Sequence, residues 1–243
     1  LLQGALSAWS VRLWRRAVTN AFRRHKVIFV SQCLRTNAER TLGALPGATA
    51  RISHNFVDAQ YLRRGMPASK TNGEQPDVFI AARIDAAKGV DAFINAFGAS
   101  QPLRRHVTIA GDGPLLDMLR ASKSVPSIYF MGWQPYHTTV NMAANAATII
   151  VPSVCEESCA TTVLEGLVLG RPVLALKRGG TPELKVYERY PNQLQLFDSM
   201  AELVAALSDT AAPVPALQGL GFAGDVRAHL GEMESVYRQE VLH

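Results

Sequence analysis

The chain has 243 residues, 48% of them hydrophobic and 19% charged, with a formal net charge of +5 and an isoelectric point near 9.3. That length supports one large domain, or one domain plus part of another. No apolar run reaches the roughly 18 residues of a membrane-spanning helix, and the opening LLQGALSAW lacks the leading basic cluster of a signal peptide.

Residues 2–24 carry Leu2, Leu6, Trp9, Leu13, Ala17 and Phe22 at helical spacing, with most arginines on the other side. A basic amphipathic helix with a Trp suits an anionic membrane surface. It equally suits packing against a sheet, because a strand, VIFVS (27–31), follows at once. Seven basic residues and no acidic one fall within 1–38, so residues 39–243 carry 5 − 7 = −2. The positive charge belongs to one segment, which argues against nucleic acid as a partner of the whole chain.

A helix over about 33–44 and a strand at 50–54 come next. The stretch from Asn55 to Pro76 mixes Pro, Gly, Ser and charges and is expected to be loop, with a linker at 67–76. Then a regular alternation begins. Strands are expected at DVFIAA, HVTIAG, IYFMG, ATIIV, PVLAL and QLQLF. Helices are expected from Lys88 to about Phe97, from Pro114 to about Ser122, around 137–146, up to Leu169, after Thr181 and over 199–208. Short Val/Ile-rich strands alternating with helices specify an α/β fold, a Rossmann-like parallel sheet flanked by helices. An Ala/Pro/Gly-rich link (211–224) precedes a final helix at 225–241. Residues 77–208 thus form a complete domain. Residues 1–66, with too few elements to enclose a core, are expected to be the end of another domain of a longer protein. The start at Leu1 rather than Met fits a processed chain or a piece.

Ligands of such sheets settle at the carboxyl ends of strands, beside the unpaired amides of the next helix. Arg83 and Lys88 flank the turn after the first strand of the complete domain and together can neutralise a diphosphate. A cation is unfavourable at a helix N-terminus, so Lys88 needs another reason to be there. AGDGP (110–114) offers Gly111 and Gly113 for a tight turn, but Leu116 stands where a dinucleotide fingerprint needs a third glycine. Glu157 and Glu165, eight residues apart, suit a ligand rich in hydroxyl groups, with Glu157 in a loop and Glu165 inside a helix. A glycosidase-type acid/base pair is the other reading of two carboxylates. The histidines have no metal-ligand spacing, and Cys33, Cys155 and Cys159, an odd number, suit neither a disulfide framework nor structural zinc. A reducing cytoplasm fits them best.

Taken in order, Arg83–Lys88–Gly89, AGDGP, Gly132–Trp133, PSVCEE…LEG, G-x-PV and GG-x-PE resemble the nucleotide-sugar-dependent glycosyltransferases of family four, which have the two-domain GT-B architecture. HNFVD (54–58) resembles the family's NGVD turn at the end of the acceptor domain, with Phe56 in place of its glycine. The resemblance implies a retaining transferase of polysaccharide or glycoconjugate synthesis, using a UDP- or GDP-sugar without a metal ion or other cofactor. Its acceptor is expected to be a carbohydrate or a lipid-linked molecule. It implies a catalytic set of Arg83, Lys88 and Glu157, the first two holding the diphosphate and the third the donor sugar. The implied donor-binding set is Gly111, Gly113, Trp133, Glu165 on the ribose, and the loop Ser158, Cys159, Ala160 and Thr161. That loop departs from the family, which usually has Gly or Pro next to an aromatic there. The acceptor domain, with its glycine-rich loop and histidine, is expected to lie before residue 1, leaving this chain with little activity by itself. Residues 225–241 resemble the helix that crosses back to that domain. Other outcomes consistent with the same residues are a GT-B epimerase, a pyridoxal-phosphate phosphorylase, or a nucleotide-binding module without catalysis. The expected location is cytoplasmic, with possible contact at the inner membrane face through residues 1–26.

Overall fold

The computed structural model describes residues 2–25, 27–44, 50–64, 77–100, 105–122, 125–207, 222 and 224–241. It forms two compact units, Leu1–Asn55 and Phe56–His243. The expected linker at 67–76 and most of the expected link at 211–224 lie outside the described residues.

In the first unit, helix α1 (Leu2–Arg24) leads into a parallel pair, β1 (Val27–Phe29) and β2 (Ala50–Ile52), joined through α2 (Gln32–Leu42). Buried Ser31 caps α2, its hydroxyl accepting from the Leu34 N–H at 3.1 Å. Phe22 of α1 stacks on Phe29 of β1 with centroids 6.0 Å apart, while Trp9, Val11, Leu13 and Trp14 stay exposed. Phe22, near the end of α1, thus packs on β1.

The second unit opens with a short helix, α3 (Ala59–Arg64), within the stretch that composition assigns to loop. Its turn is held from far along the chain. Val57 bridges Asp225, and the Ala59 N–H donates to Asp225 Oδ2 at 3.0 Å, at the start of the last helix, α9 (Val226–Val241). Residues 56–64, expected to belong with the first piece, thus cluster with the second unit, because their partners lie there.

Six parallel strands follow: β3 (Val78–Ala81), β4 (Val107–Ala110), β5 (Ile128–Gly132), β6 (Thr148–Val151), β7 (Val173–Leu176) and β8 (Leu194–Phe197). Their order in the sheet is β5-β4-β3-β6-β7-β8. Successive strands step outward to β5, then the chain returns to the other side of β3. The topological switch therefore falls between β3 and β6, where Val78 pairs with Thr148.

The helices are α4 (Val90–Ala99), α5 (Leu116–Ser122), α6 (Tyr136–Asn145), α7 (Thr161–Val168) and α8 (Met200–Ala206). Alternate strand residues face opposite sides. Val78, Ile80, Val107, Ile109, Ile150 and Leu174 pack with Phe93, Phe97, Leu119 and Leu203 of α4, α5 and α8. On the other side, Phe79 and Ile149 meet Val140 of α6 and Gly166 of α7. A Cβ on Gly166 would sit 2.6 Å from Val173, so α7 lies too close to the sheet for any side chain there. Covering both faces explains why β6 and β7 are buried throughout.

Candidate active site

The carboxyl ends of β3 and β6 open onto one cavity of about 190 Å³. Arg83 and Lys88 reach it from the β3 side, and Ser153, Glu157, Cys159, Ala160 and Thr161 line it from the β6 side. Lys88 is not at the start of α4, as the sequence suggests, but ends a 3₁₀ turn (Ala86–Lys88) capped by Asp85. Helix α4 begins at Val90, after Gly89, so Lys88 lies just ahead of its first turn. The reason for the lysine lies across the switch: its Nζ pairs with Glu157 Oε1 at 2.5 Å. The same oxygen accepts from the Ser153 hydroxyl at 2.6 Å, and the Cys155 thiol stands 4.0 Å away. Arg83 is far more open, with its side chain 71% exposed and its Nε 3.2 Å from Asp85 Oδ2.

Backbone contacts lock this loop. The Val154 and Cys155 N–H groups donate to the Ala87 carbonyl at 3.1 and 3.2 Å, tying the β6 loop to the 3₁₀ turn. From β7, the Gly180 N–H donates to the Glu157 carbonyl at 2.7 Å. Gly179, at φ +55°, lies where a Cβ would collide with the Glu157 backbone. The Gly-Gly pair after β7 is therefore a seat for Glu157. Helix α7 starts beside the same cavity, after Ala160, with no side-chain cap on its first amides.

Glu165 lies one turn into α7 and belongs to a narrower neighbouring cavity with Thr139, Val140 and Thr162; the two cavities share Ala81 and Thr162. Burial pushes its pKa up, against which the Tyr136 hydroxyl, donating to Oε1 at 2.9 Å, pulls it down. Gly111, Gly113 and Trp133 stand at the carboxyl ends of β4 and β5, on the same edge of the sheet but outside the Lys88–Glu157 cavity; Ser158, in the loop after β6, also lies outside it. A Cβ at Gly111, φ +147°, would collide with the Ala82 carbonyl, so this glycine serves the packing of the two loops. Trp133 is 70% exposed. Sequence reasoning missed Ser153, whose signal is a hydroxyl directly after a buried strand at the switch. It also missed Tyr136, at the first position of a helix following a strand, which nothing local marks.

A parallel sheet reversing between β3 and β6, with cations from one side and a partly buried carboxylate from the other, defines a doubly wound α/β domain with a charged cleft at its switch point. The sequence pattern of the family described as glycosyl transferases group 1 matches residues 75–211, more than half of the chain, and the chain belongs to that family. Among curated proteins, none matches this sequence. Solved structures of the same fold include Anabaena Alr3699/HepE in complex with UDP, at TM-score 0.65 and 18% identity, covering 80% of this chain and 57% of that one. A glycosyltransferase from Rickettsia africae ESF-5 superposes at 0.63 with 15% identity, covering 76% and 53%. The apo lipopolysaccharide outer core galactosyltransferase WaaB does so at 0.58 with 15% identity, covering 76% and 52%. The fold is that of the GT-B glycosyltransferases, and this chain spans little more than half the length of these structures.

Proposed function

We propose that residues 77–208 are the donor-binding domain of a glycosyltransferase that moves a sugar from a UDP- or GDP-sugar to a carbohydrate or lipid-linked acceptor with retention of configuration, in polysaccharide or glycoconjugate synthesis. The observation that carries this reading is the convergence of Arg83, Lys88, Ser153 and Glu157 on one cavity at the switch point. In this role Arg83, Lys88 and the open start of α7 hold the diphosphate and stabilise its charge as it leaves. Glu157, fixed by Ser153, orients sugar hydroxyls, and Glu165 takes the ribose. At about 190 Å³ the cavity falls below the ~300 Å³ usual for a small-molecule site, so it suits part of a nucleotide sugar. The remainder lies along the strand ends toward Glu165, Gly111, Gly113 and Trp133, and the loop 158–161 borders the sugar. Retention requires attack on the face the nucleotide leaves. Support comes also from the Alr3699/HepE structures, which are complexes with UDP and with UDP-glucose.

In α1, Arg12, Arg15, Arg16 and Arg24 are exposed beside exposed Trp9, Leu13 and Trp14, which favours contact with an anionic membrane surface. No described helix is long and apolar enough to cross a membrane. Residues 1–66 are assigned to the end of an acceptor-binding domain and 209–243 to the link and the helix returning to it. The test is calorimetry of the chain with UDP and with GDP. Saturable binding of one of them is expected, and binding of neither sinks the donor-domain reading.

A further inference from the structure

Beside the Lys88–Glu157 cavity lies a second polar assembly whose members come from three helices. The Tyr136 hydroxyl, at the first position of α6, donates to Glu165 Oε1 of α7 at 2.9 Å. The Tyr136 ring stacks on Tyr61 of α3, with centroids 5.8 Å apart and planes 14° from parallel. Tyr61 is itself anchored, its N–H donating to Asp58 Oδ1 at 2.8 Å, while Asp225 at the head of α9 holds the same turn through the Ala59 N–H. Both rings remain about half exposed, at 46% and 49%, so they do not serve core packing alone.

A carboxylate set among apolar neighbours favours its neutral form. As a neutral acid it would lose acceptor capacity and gain a donor, which suits a vicinal diol less well. One hydroxyl donor aimed at the carboxylate counters that tendency, and a phenol is protonated, and so a donor, throughout the neutral range. A phenol on a ring clamped by a second ring loses little freedom in making this bond.

We infer that Tyr136 is a positioning residue for Glu165: it holds the carboxylate as an oriented acceptor for the ribose hydroxyls of the nucleotide, and Tyr61 clamps Tyr136 for that task. This rests on the donor-site reading of Glu165 given above. Tyr136 need not touch the nucleotide. Its effect travels through one oxygen of Glu165.

The probes are UDP and GDP, each paired with its 2′,3′-dideoxy analogue, and the reading is the ratio of the two dissociation constants for whichever base binds. Tyr136→Phe keeps the ring stack and removes only the donor. It is expected to weaken the normal nucleotide about tenfold and the dideoxy analogue less than about threefold, the size of one lost hydrogen bond to a charged group. Glu165→Gln collapses the same ratio, and adding Tyr136→Phe to it changes the ratio no further, since the tyrosine acts through the carboxylate. Tyr61→Leu gives an intermediate ratio. Equal weakening of both nucleotides by Tyr136→Phe, or an unchanged ratio in a variant with the parent's unfolding midpoint, overturns the inference while leaving the donor site standing. Failure of the parent chain to bind any of the four nucleotides removes the donor-site reading and this inference together.

Discussion

In the proposed donor site Glu157 and the diphosphate would compete for Lys88, and that competition makes an unusual prediction for Glu157→Gln. In the structure Lys88 Nζ sits 2.5 Å from Glu157 Oε1, with the two side chains 32% and 15% exposed. A fully exposed ion pair is worth up to about 1 kcal/mol, and a hydrogen bond to a charged group about 1.5–3 kcal/mol. Partial exposure puts this pair near the lower end. Neutralising Glu157 frees the lysine and removes a negative charge facing the diphosphate, a gain of about 1 kcal/mol, or roughly fivefold in affinity. UDP or GDP without its sugar is therefore expected to bind Glu157→Gln about fivefold more tightly than the parent chain. Lys88→Met is expected to weaken it tenfold or more, and that loss should shrink as salt rises from about 0.05 to 0.5 M. Calorimetry at pH 7.5 measures both. A tenfold weakening by Glu157→Gln would refute the reasoning, because it would mean that the carboxylate contacts the nucleotide instead of holding its lysine in reserve.

Gly179→Ala forces a left-handed residue to carry a Cβ against the Glu157 backbone. It is expected to cost about 1–2 kcal/mol in urea unfolding and more if the loop shifts. Since the raised pKa of buried Glu165 means the folded state holds its proton more tightly than the unfolded one, that group lowers stability as pH rises through the ordinary carboxylate range toward its folded value. Glu165→Gln should therefore raise the unfolding midpoint at pH 7, and the gain should vanish below about pH 4.3, where both states of the parent are protonated; a constant gain across pH would contradict it. For α1, liposomes containing anionic lipid are expected to sediment the chain, and Trp9→Ala with Arg12→Gln and Arg16→Gln should abolish this. Equal sedimentation by neutral liposomes would remove the electrostatic part of the argument.

The strands of the second unit were legible because parallel strands buried on both faces read as short unbroken runs such as ATIIV and PVLAL. Arg83, Lys88 and Glu157 were legible as residues at strand ends, and the structure brings all three to one cavity. Their mutual arrangement was not, because the Lys88–Glu157 contact crosses 69 residues and depends on which strands are neighbours. Helix α3 was hidden in a stretch whose Pro, Gly and Ser content signals loop, and its support comes from Asp225 at the far end of the chain. The apparent misplacement of Lys88 had a local cause, a capped 3₁₀ turn ahead of α4, which periodicity over ten residues does not resolve. Tyr136 and Glu165 are ordinary residues in their own windows; only the crossing of α6 and α7 gives them a relation.

The placement of β6 beside β3 also sets when the cleft comes into being. As the chain leaves the ribosome, β3, β4 and β5 emerge in succession and pair with their immediate predecessors, low in contact order. The next strand cannot extend that growing edge. It must come back to the opposite side of β3, closing a loop of about 70 residues before Ser153 and Glu157 meet Lys88. A nascent or half-folded chain thus presents Lys88 without Glu157, while Arg83 already has its local partner Asp85. Assembly of the cavity therefore waits on the long-range docking of β6 beside β3, ahead of the addition of β7 and β8 at that edge.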